Sequence, residues 1–334
     1  MSASAPAVSA PVPLSRRLRS FAVSWASQIG ITVAFAALWL LFIFGAPSVF
    51  LSDRIYLSFA QTVPYFAIVA LFLTMVIVAG DIDLSFIGEM PLCMVGFTFT
   101  WQATGSAELG FFAAIGVGIL CGLFNGAVVT IIGIPSLVVT IGTQFLFSGL
   151  ALVLLNGKST PLVTTNSSFI YWLLVGKVGS IPIDFFWFLI LAVVAWALLN
   201  RHRLGHNAYV IGDNKQAAQL MGVPIRRTRI MLFVLVGMAS AITGMMNSLS
   251  LNNFFPGVGS GYLVYTLAAV FIGGTSVFGG RGSIYGTFLG AFMIGGLEAG
   301  IVAMGLTAYF VTPIQGAIIL IAVSIHAILQ QRLR

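Results

Sequence analysis

Charge is scarce in this chain. Asp, Glu, Lys and Arg make up 7% of its 334 residues, and only 8 of them are acidic. A soluble domain carries about 25% charged residues, so a fold that covers itself with polar surface in water is excluded. Histidine and cysteine are scarcer still, at 3 and 2. His202, His206 and His326 are scattered, and no His/Cys/carboxylate spacing suits a metal. Nucleophilic triads are absent too, so neither an enzyme nor a cofactor is indicated. NGKST, Asn156–Thr160, carries the Gly-Lys-Ser of a phosphate-binding loop, but Leu152 stands where the pattern needs a glycine. The chain is not expected to hydrolyse ATP by itself. Cys93 and Cys121 fall inside apolar runs and read as small buried packers.

What the chain has is apolar surface. Hydrophobic residues are 59% of it and the mean hydropathy is +1.06. Lipid must be part of its solvent, and the expected fold is an all-α, polytopic bundle in a bilayer. A membrane helix needs about 20 apolar residues. Spans are expected near Phe21–Phe44, Tyr56–Ala79, Leu84–Trp101, Phe111–Ile132, Leu137–Leu155, Phe185–Leu199, Ile230–Leu251, Leu263–Phe278, Ile284–Met304 and Tyr309–Leu329. That makes ten, with both termini on one side.

The net charge of +7 would suit nucleic acid, but its distribution says otherwise. Of the 15 Lys and Arg, only Arg54, Lys158 and Lys177 fall on one side of those spans, and the other twelve on the opposite side. Such asymmetry is a positive-inside signal. It places both termini and residues 201–229 in the cytoplasm and Asn156–Asp184 outside, and no nucleic-acid partner is expected. Residues 1–20, rich in Ser, Ala and Pro, are expected to form a disordered cytoplasmic tail, leaving 21–334 as the membrane domain.

Small residues recur at four-residue spacing: Gly118, Gly122 and Gly126, then Gly286 with Gly290 and Gly296 with Gly300. Such faces let membrane helices approach closely. Two spans are unusual. The third starts straight after GDIDLS and contains Pro91, and the eighth is short and runs into GGTSVFGGRGS, Gly273–Ser283. Interrupted segments of this kind mark substrate pathways in transporters, because irregular backbone at membrane depth must be satisfied by protein or a watery cavity.

Three of the acids, Asp81, Asp83 and Glu89, lie within nine positions. Facing lipid, each would cost about 2.5–3.5 kcal/mol. Together that approaches the whole insertion gain of about twenty leucines at roughly 0.5 kcal/mol each. They therefore sit at a water boundary or inside the bundle. Asp83 and Ser85 suit a cap on the helix that follows; a role in substrate passage is the alternative. Asp81 and Glu89 are left open between a polar loop and a cavity wall, and Glu298 is expected to find a partner across the bundle.

HNAYVIGDNKQAAQLMGVPIRRTR, His206–Arg229, holds a short helix of its own. Asp213 or Asn214 can cap it, KQAAQLM supplies good formers, Gly222 fits its end and Pro224 blocks continuation. Its apolar residues Ala217, Ala218, Leu220 and Met221 need a surface to bury against, either their own membrane domain or a cytoplasmic partner.

That stretch, together with GVGSGYLVYTLAAVFIGGTSVFGGRGSIYGTFLGAFMIGGLEAGI and IDLS at Ile82–Ser85, resembles the permease subunit of ribose/xylose/arabinose/galactoside-type ABC importers, from about Leu57 onward. The resemblance implies a bacterial inner-membrane subunit that forms the path for a monosaccharide or polyol. It also implies a second permease subunit, a separate cytoplasmic ATPase and a periplasmic binding protein. Asp213–Gly222 then matches the family's ATPase-coupling helix. Asp81 departs from the family's G-G-I-D-L-S, where a glycine stands, and Glu89 is likewise an addition. Sugars are held by hydrogen bonds and aromatic faces, so Asn125, Gln144, Asn247, Asn252, Asn253, Phe254, Phe255 and Tyr262 join Asp81, Asp83, Ser85 and Glu89 as pathway candidates. Two other classes remain: a proton-coupled secondary transporter using the intramembrane acids, and a membrane scaffold that transports nothing.

Overall fold

A computed structural model describes residues 14–311, 313–318, 320, 321 and 324. Helix α1, Leu14–Gly45, begins inside the stretch expected to be an unstructured tail. Residues 1–13 lie outside the described residues, as does much of the expected span Tyr309–Leu329. A short turn α2, Pro47–Phe50, leads to α3, Asp53–Thr62, whose N-terminus is capped by the Ser52 side chain accepting from Arg54 N. The next helix, α4, Pro64–Val78, is buried along its whole length.

The expected continuous span Tyr56–Ala79 is broken, because α3 and α4 meet at a 55° bend. Pro64 is the cause: it offers no N–H to the ladder and its ring crowds the carbonyl one turn earlier. Residues 79–85 are irregular, as the Gly-Asp-rich stretch predicted. Then come α5, Phe86–Thr104, and α6, Ala107–Ala127, which runs into a π-helical turn at Val128–Ile132. α7 spans Ser136–Leu154.

The long connection that follows is more structured than a plain loop. It contains β1, Thr160–Pro161, then α8, Phe169–Val175, and the two-residue hairpin of β2, Lys177–Val178, with β3, Ile181–Pro182. After α9, Ile183–Asn200, two short helices follow, α10, Arg203–Asp213, and α11, Lys215–Leu220. α12 runs Ile225–Ser250, and β4, Asn253–Phe254, pairs antiparallel with β1. α13 is only Tyr262–Ile272, residues 273–283 are irregular, and α14 runs Ile284–Ala303.

Among the described residues, six helices are long and apolar enough to cross a membrane, or seven with the bent α3–α4 pair counted as one span. The ten expected spans are reduced on this measure because α13 has 11 residues and α5 carries Glu89 and Pro91. Large apolar side chains such as Phe112, Leu120, Phe145 and Val153 face outward, as lipid-facing helices require.

The core is built around α4, α5, α6 and α12. The predicted glycine faces are where helices touch. A Cβ on Gly118 would stand 2.3 Å from the Gly237 carbonyl oxygen, and one on Gly122 would stand 2.5 Å from that of Phe233, so α6 and α12 pack backbone to backbone. On α14, Gly290 meets the Ala269 carbonyl of α13, while Gly296 and Gly300 receive the Trp39 and Phe42 rings of α1. Cys93 and Cys121 are buried packers.

Candidate functional site

The two interrupted stretches, far apart in sequence, meet at one end of the bundle. Gly280 N donates to Val78 O at 2.8 Å, so residues 273–283 bond directly to the end of α4. The end of α10 joins them. A Cβ on Gly212 would stand 1.9 Å from Val78 O and 2.5 Å from Gly280 N, and one on Gly279 would stand 2.9 Å from Gly80 Cα. Only glycine allows three backbones this close. Tyr209 of α10 donates its hydroxyl to Gly282 O at 2.7 Å, and burial raises its phenol above the ordinary value.

Beyond this junction, the irregular backbone finds partners on α7. Ser136 Oγ accepts from Ile82 N at 3.1 Å, and Thr140 Oγ1 donates to Ile82 O at 3.2 Å. Asp83 Oδ1 accepts from Ser85 N at 2.9 Å and from Ser85 Oγ at 2.6 Å, so Asp83 closes a turn just before α5. Ser85 itself does not cap α5 with its side chain. Its hydroxyl also lies 3.0 Å from Glu89 Oε1.

Asn125 reaches in from α6, with Nδ2 2.7 Å from Ser85 Oγ and 3.2 Å from Glu89 Oε1. Ser240 of α12 donates to Glu89 Oε2 at 2.9 Å. All five side chains are fully buried. Asp83 Oδ2 and Asn125 Oδ1 have no hydrogen-bond partner among the described residues. Four expected pathway residues, Asp83, Ser85, Glu89 and Asn125, thus form one polar cluster where α5, α6 and α12 converge.

The other candidates lie elsewhere. Asp81 pairs with Arg229 rather than with the cluster, and Arg229 Nε and Nη2 donate to its two carboxylate oxygens. Asn247 donates to the Tyr262 hydroxyl at the opposite end of the bundle. Nearby, Tyr65 donates to Asp184 Oδ2 at 2.8 Å, a buried contact between the starts of α4 and α9 that the sequence reading did not include. Asn252 adopts φ +51° and its carbonyl accepts from Leu162 N at 2.9 Å, which seats Phe254, fully buried, in the β1–β4 pair. Glu298 has the cross-helix partner expected of it, accepting from Tyr265 Oη at 3.1 Å.

The loop helix forms as the sequence predicts, with Asn214 as the cap. Its Oδ1 accepts from Ala217 N at 2.9 Å, whereas Asp213 ends α10. Gly222 takes φ +73° to close the helix ahead of Pro224. Ala218 is buried against the bundle, while Leu220 and Met221 are 90% and 70% exposed. The outward side therefore carries two bare apolar side chains among Lys215, Gln216 and Gln219.

A family described as "Branched-chain amino acid transport system / permease component" matches residues 55–323. Among curated relatives, the autoinducer 2 import system permease protein LsrD of Yersinia enterocolitica is 33% identical over 264 residues, covering 77% of this chain and 78% of the relative. The protein of that name from Photorhabdus temperata is 34% identical over 266 residues with the same coverage. The one from Salmonella typhi is 32% identical over 266 residues. A match across the bundle, the interrupted segments and the short-helix loop settles the class: the chain belongs to the permease-component family of ABC importers, and is a transport subunit that crosses the membrane several times.

Proposed function

We propose that the chain is the inner-membrane translocation subunit of a bacterial importer for a small, neutral, polyhydroxylated molecule. A cytoplasmic ATPase docks on α11 and its C-cap Met221. Residues 201–229 are the coupling loop, and the end carrying Tyr65, Asn247, Tyr262 and Phe254 faces the binding protein. A second permease subunit completes the path. Counting α5 and α13 as crossings beside the seven apolar spans gives nine among the described residues; the tenth expected span, Tyr309–Leu329, lies largely outside them.

The observation that carries this reading is α11. A six-residue helix is far below the length that persists alone, yet Asn214 caps it and Ala218 holds it inward while Leu220 and Met221 stand bare. Apolar side chains presented this way on a basic loop suit a docked protein partner.

The cargo class rests on the interior. Among the described residues, the fully buried polar side chains are Thr, Ser, Asn, Gln, Asp and Glu, and the shielded Arg229, 13% exposed, is already paired with Asp81. An amino acid would bring a carboxylate that needs a cation opposite it, whereas hydroxyl groups are served by amides, hydroxyls and carboxylates. The matched relatives are named for autoinducer 2 import, and that molecule is the first cargo to test.

The test is copurification of the ATPase with Leu220→Asp/Met221→Asp. The variant should lose the ATPase while its membrane bundle unfolds at the wild-type temperature. Undiminished copurification would sink the docking assignment.

A further inference from the structure

The coupling loop is tied at both ends to the same short stretch of chain. On its N-terminal side, Gly212 lies two residues before the Asn214 cap and packs directly on Val78 O. On its C-terminal side, Arg229, in the second turn of α12, forks onto Asp81. Val78 and Asp81 are three residues apart, so α11 hangs between two anchors on one peptide segment.

The fork is well shielded, with Arg229 13% and Asp81 5% exposed. All eight Asp and Glu of the chain are described, and this is the one ion pair among the described residues. Two parallel charge-assisted bonds fix the orientation of both partners as well as their distance. The glycine contacts leave the other anchor no slack, because any shift of Gly212 must move Val78, Gly280 or both. Past Asp81 the chain enters the turn closed by Asp83, and then the cluster of Ser85, Glu89, Asn125 and Ser240.

Building on the docking reading, we propose that the Asp81–Arg229 pair is a positioning strut. It passes displacement of the ATPase-docked helix to residues 79–85, and through the glycine junction to residues 276–283. A rigid fork beside a packed backbone junction gives the loop a two-point grip, so a tilt of α11 must either carry the interrupted segments with it or break the pair. Coupling of this kind is established by demonstrated energetic linkage between the two places.

The test uses the full permease–ATPase complex in lipid nanodiscs. Amide hydrogen exchange is followed over 79–85, 215–220 and 276–283, with and without Mg·ATP on an ATPase variant that binds but does not hydrolyse it. In the wild type, ATP should change exchange in all three stretches. In Asp81→Asn and Arg229→Gln, the response at 215–220 should persist and the response at 79–85 should fall about tenfold, within the usual range of an allosteric coupling. The double variant should be no worse than either single one, as expected of partners in one interaction. Arg229→Lys, which keeps the charge and loses the fork, should retain a reduced response and covers the case in which the neutral variants fold poorly. A wild-type response at 79–85 in Asp81→Asn, or additive losses in the double variant, overturns the strut. Absence of any ATP response at 215–220 in the wild type instead overturns the docking reading on which the strut rests.

Discussion

Ser240 donates its hydroxyl to Glu89 Oε2 at 2.9 Å, joining α12 to α5 across 151 positions of sequence. Asn125 of α6 approaches Oε1 of the same carboxyl at 3.2 Å. Three helices are therefore locked on one buried side chain, at the depth where the glycine faces bring α6 and α12 into backbone contact. Packing supplies attraction without direction, and the polar clasp fixes how the helices are rotated against one another.

That clasp predicts unequal costs for two substitutions at one site. Glu89→Ala leaves one Asn125 proton without its acceptor and the Ser240 hydroxyl with only the Val236 carbonyl, 2.8 Å away, and an orphaned buried donor costs about 1–3 kcal/mol. Glu89→Gln keeps one oxygen and nearly the same volume, so the loss should be under half as large. Thermal unfolding of the purified protein gives the comparison. Uptake by Glu89→Gln should also survive an uncoupler while ATP is maintained; collapse of uptake with the proton gradient would favour proton coupling through the buried acids.

The α6–α12 seam makes a second prediction. A Cβ on Gly237 would stand 2.0 Å from the Gly118 carbonyl oxygen, and neither backbone can yield without separating the helices. Gly237→Ala should destabilise by about 1–3 kcal/mol, the usual range for overpacking. Gly116, also on α6, has open space where its Cβ would be. Gly116→Ala should be neutral or stabilise by up to about 1 kcal/mol through helix propensity. Equal effects at the two positions would contradict the seam.

Much of this was legible in the sequence because it is written in local chemistry. The clustered glycines and aspartates of GDIDLS and the clustered glycines of VFGGRGS disfavour helix locally, and both interruptions are present. Asn214, Gly222 and Pro224 punctuate α11 on their own. The four-residue glycine spacing needs only helical periodicity to become a contact face. What was not legible is partnership at a distance. Nothing local to Asp81 tells that Arg229, 148 positions on, will meet it. Nor does the acid cluster of the sequence reveal that Asp81 leaves it while Asn125 and Ser240 enter. Tyr65 sits in an apolar run where an aromatic reads as an anchor, so its bond to Asp184 had no local signal. The bend at Pro64 did have one, since a proline inside an apolar run breaks the ladder, but the apolar count outweighed it. Four of the twelve pathway candidates, Asp83, Ser85, Glu89 and Asn125, converge on one place because a single buried carboxyl recruits them. Asn247, Asn252 and Phe254 were selected by residue type, and they lie at the opposite end.

The cap on α11 gives a prediction about docking strength. Asn214→Ala removes the acceptor of Ala217 N, and an N-cap loss costs about 1 kcal/mol. So short a helix has little else holding its first turn. ATPase affinity should fall about fivefold, as 1.4 kcal/mol corresponds to tenfold, and exchange over 215–220 should quicken. Asn214→Asp restores a capping oxygen and should return both readings close to wild type. An Ala variant that binds as tightly as wild type would mean that α11 is ordered by the partner rather than by its cap.

At the other end of the bundle, Tyr65 and Asp184 should respond asymmetrically. Asp184 is 2% exposed; its Oδ2 takes the Tyr65 hydroxyl at 2.8 Å, and its Oδ1 has no hydrogen-bond partner among the described residues. Tyr65→Phe removes that donor and leaves the whole carboxyl buried without a hydrogen bond, a loss of about 2–3 kcal/mol or more for a polar group of this kind. Asp184→Asn removes the charge but keeps an amide oxygen for the Tyr65 hydroxyl, so its loss should stay within about 1 kcal/mol, the net worth of an ordinary hydrogen bond. Both proteins can be followed by thermal unfolding in the same lipid. Because the contact ties the starts of α4 and α9, Tyr65→Phe should also raise proteolytic cleavage in the connection that leads into α9, between Gly176 and Pro182, while Asp184→Asn should not. A variant order reversed from this would mean that the carboxyl is held from another side, and that Tyr65 serves Asp184 only as a neighbour.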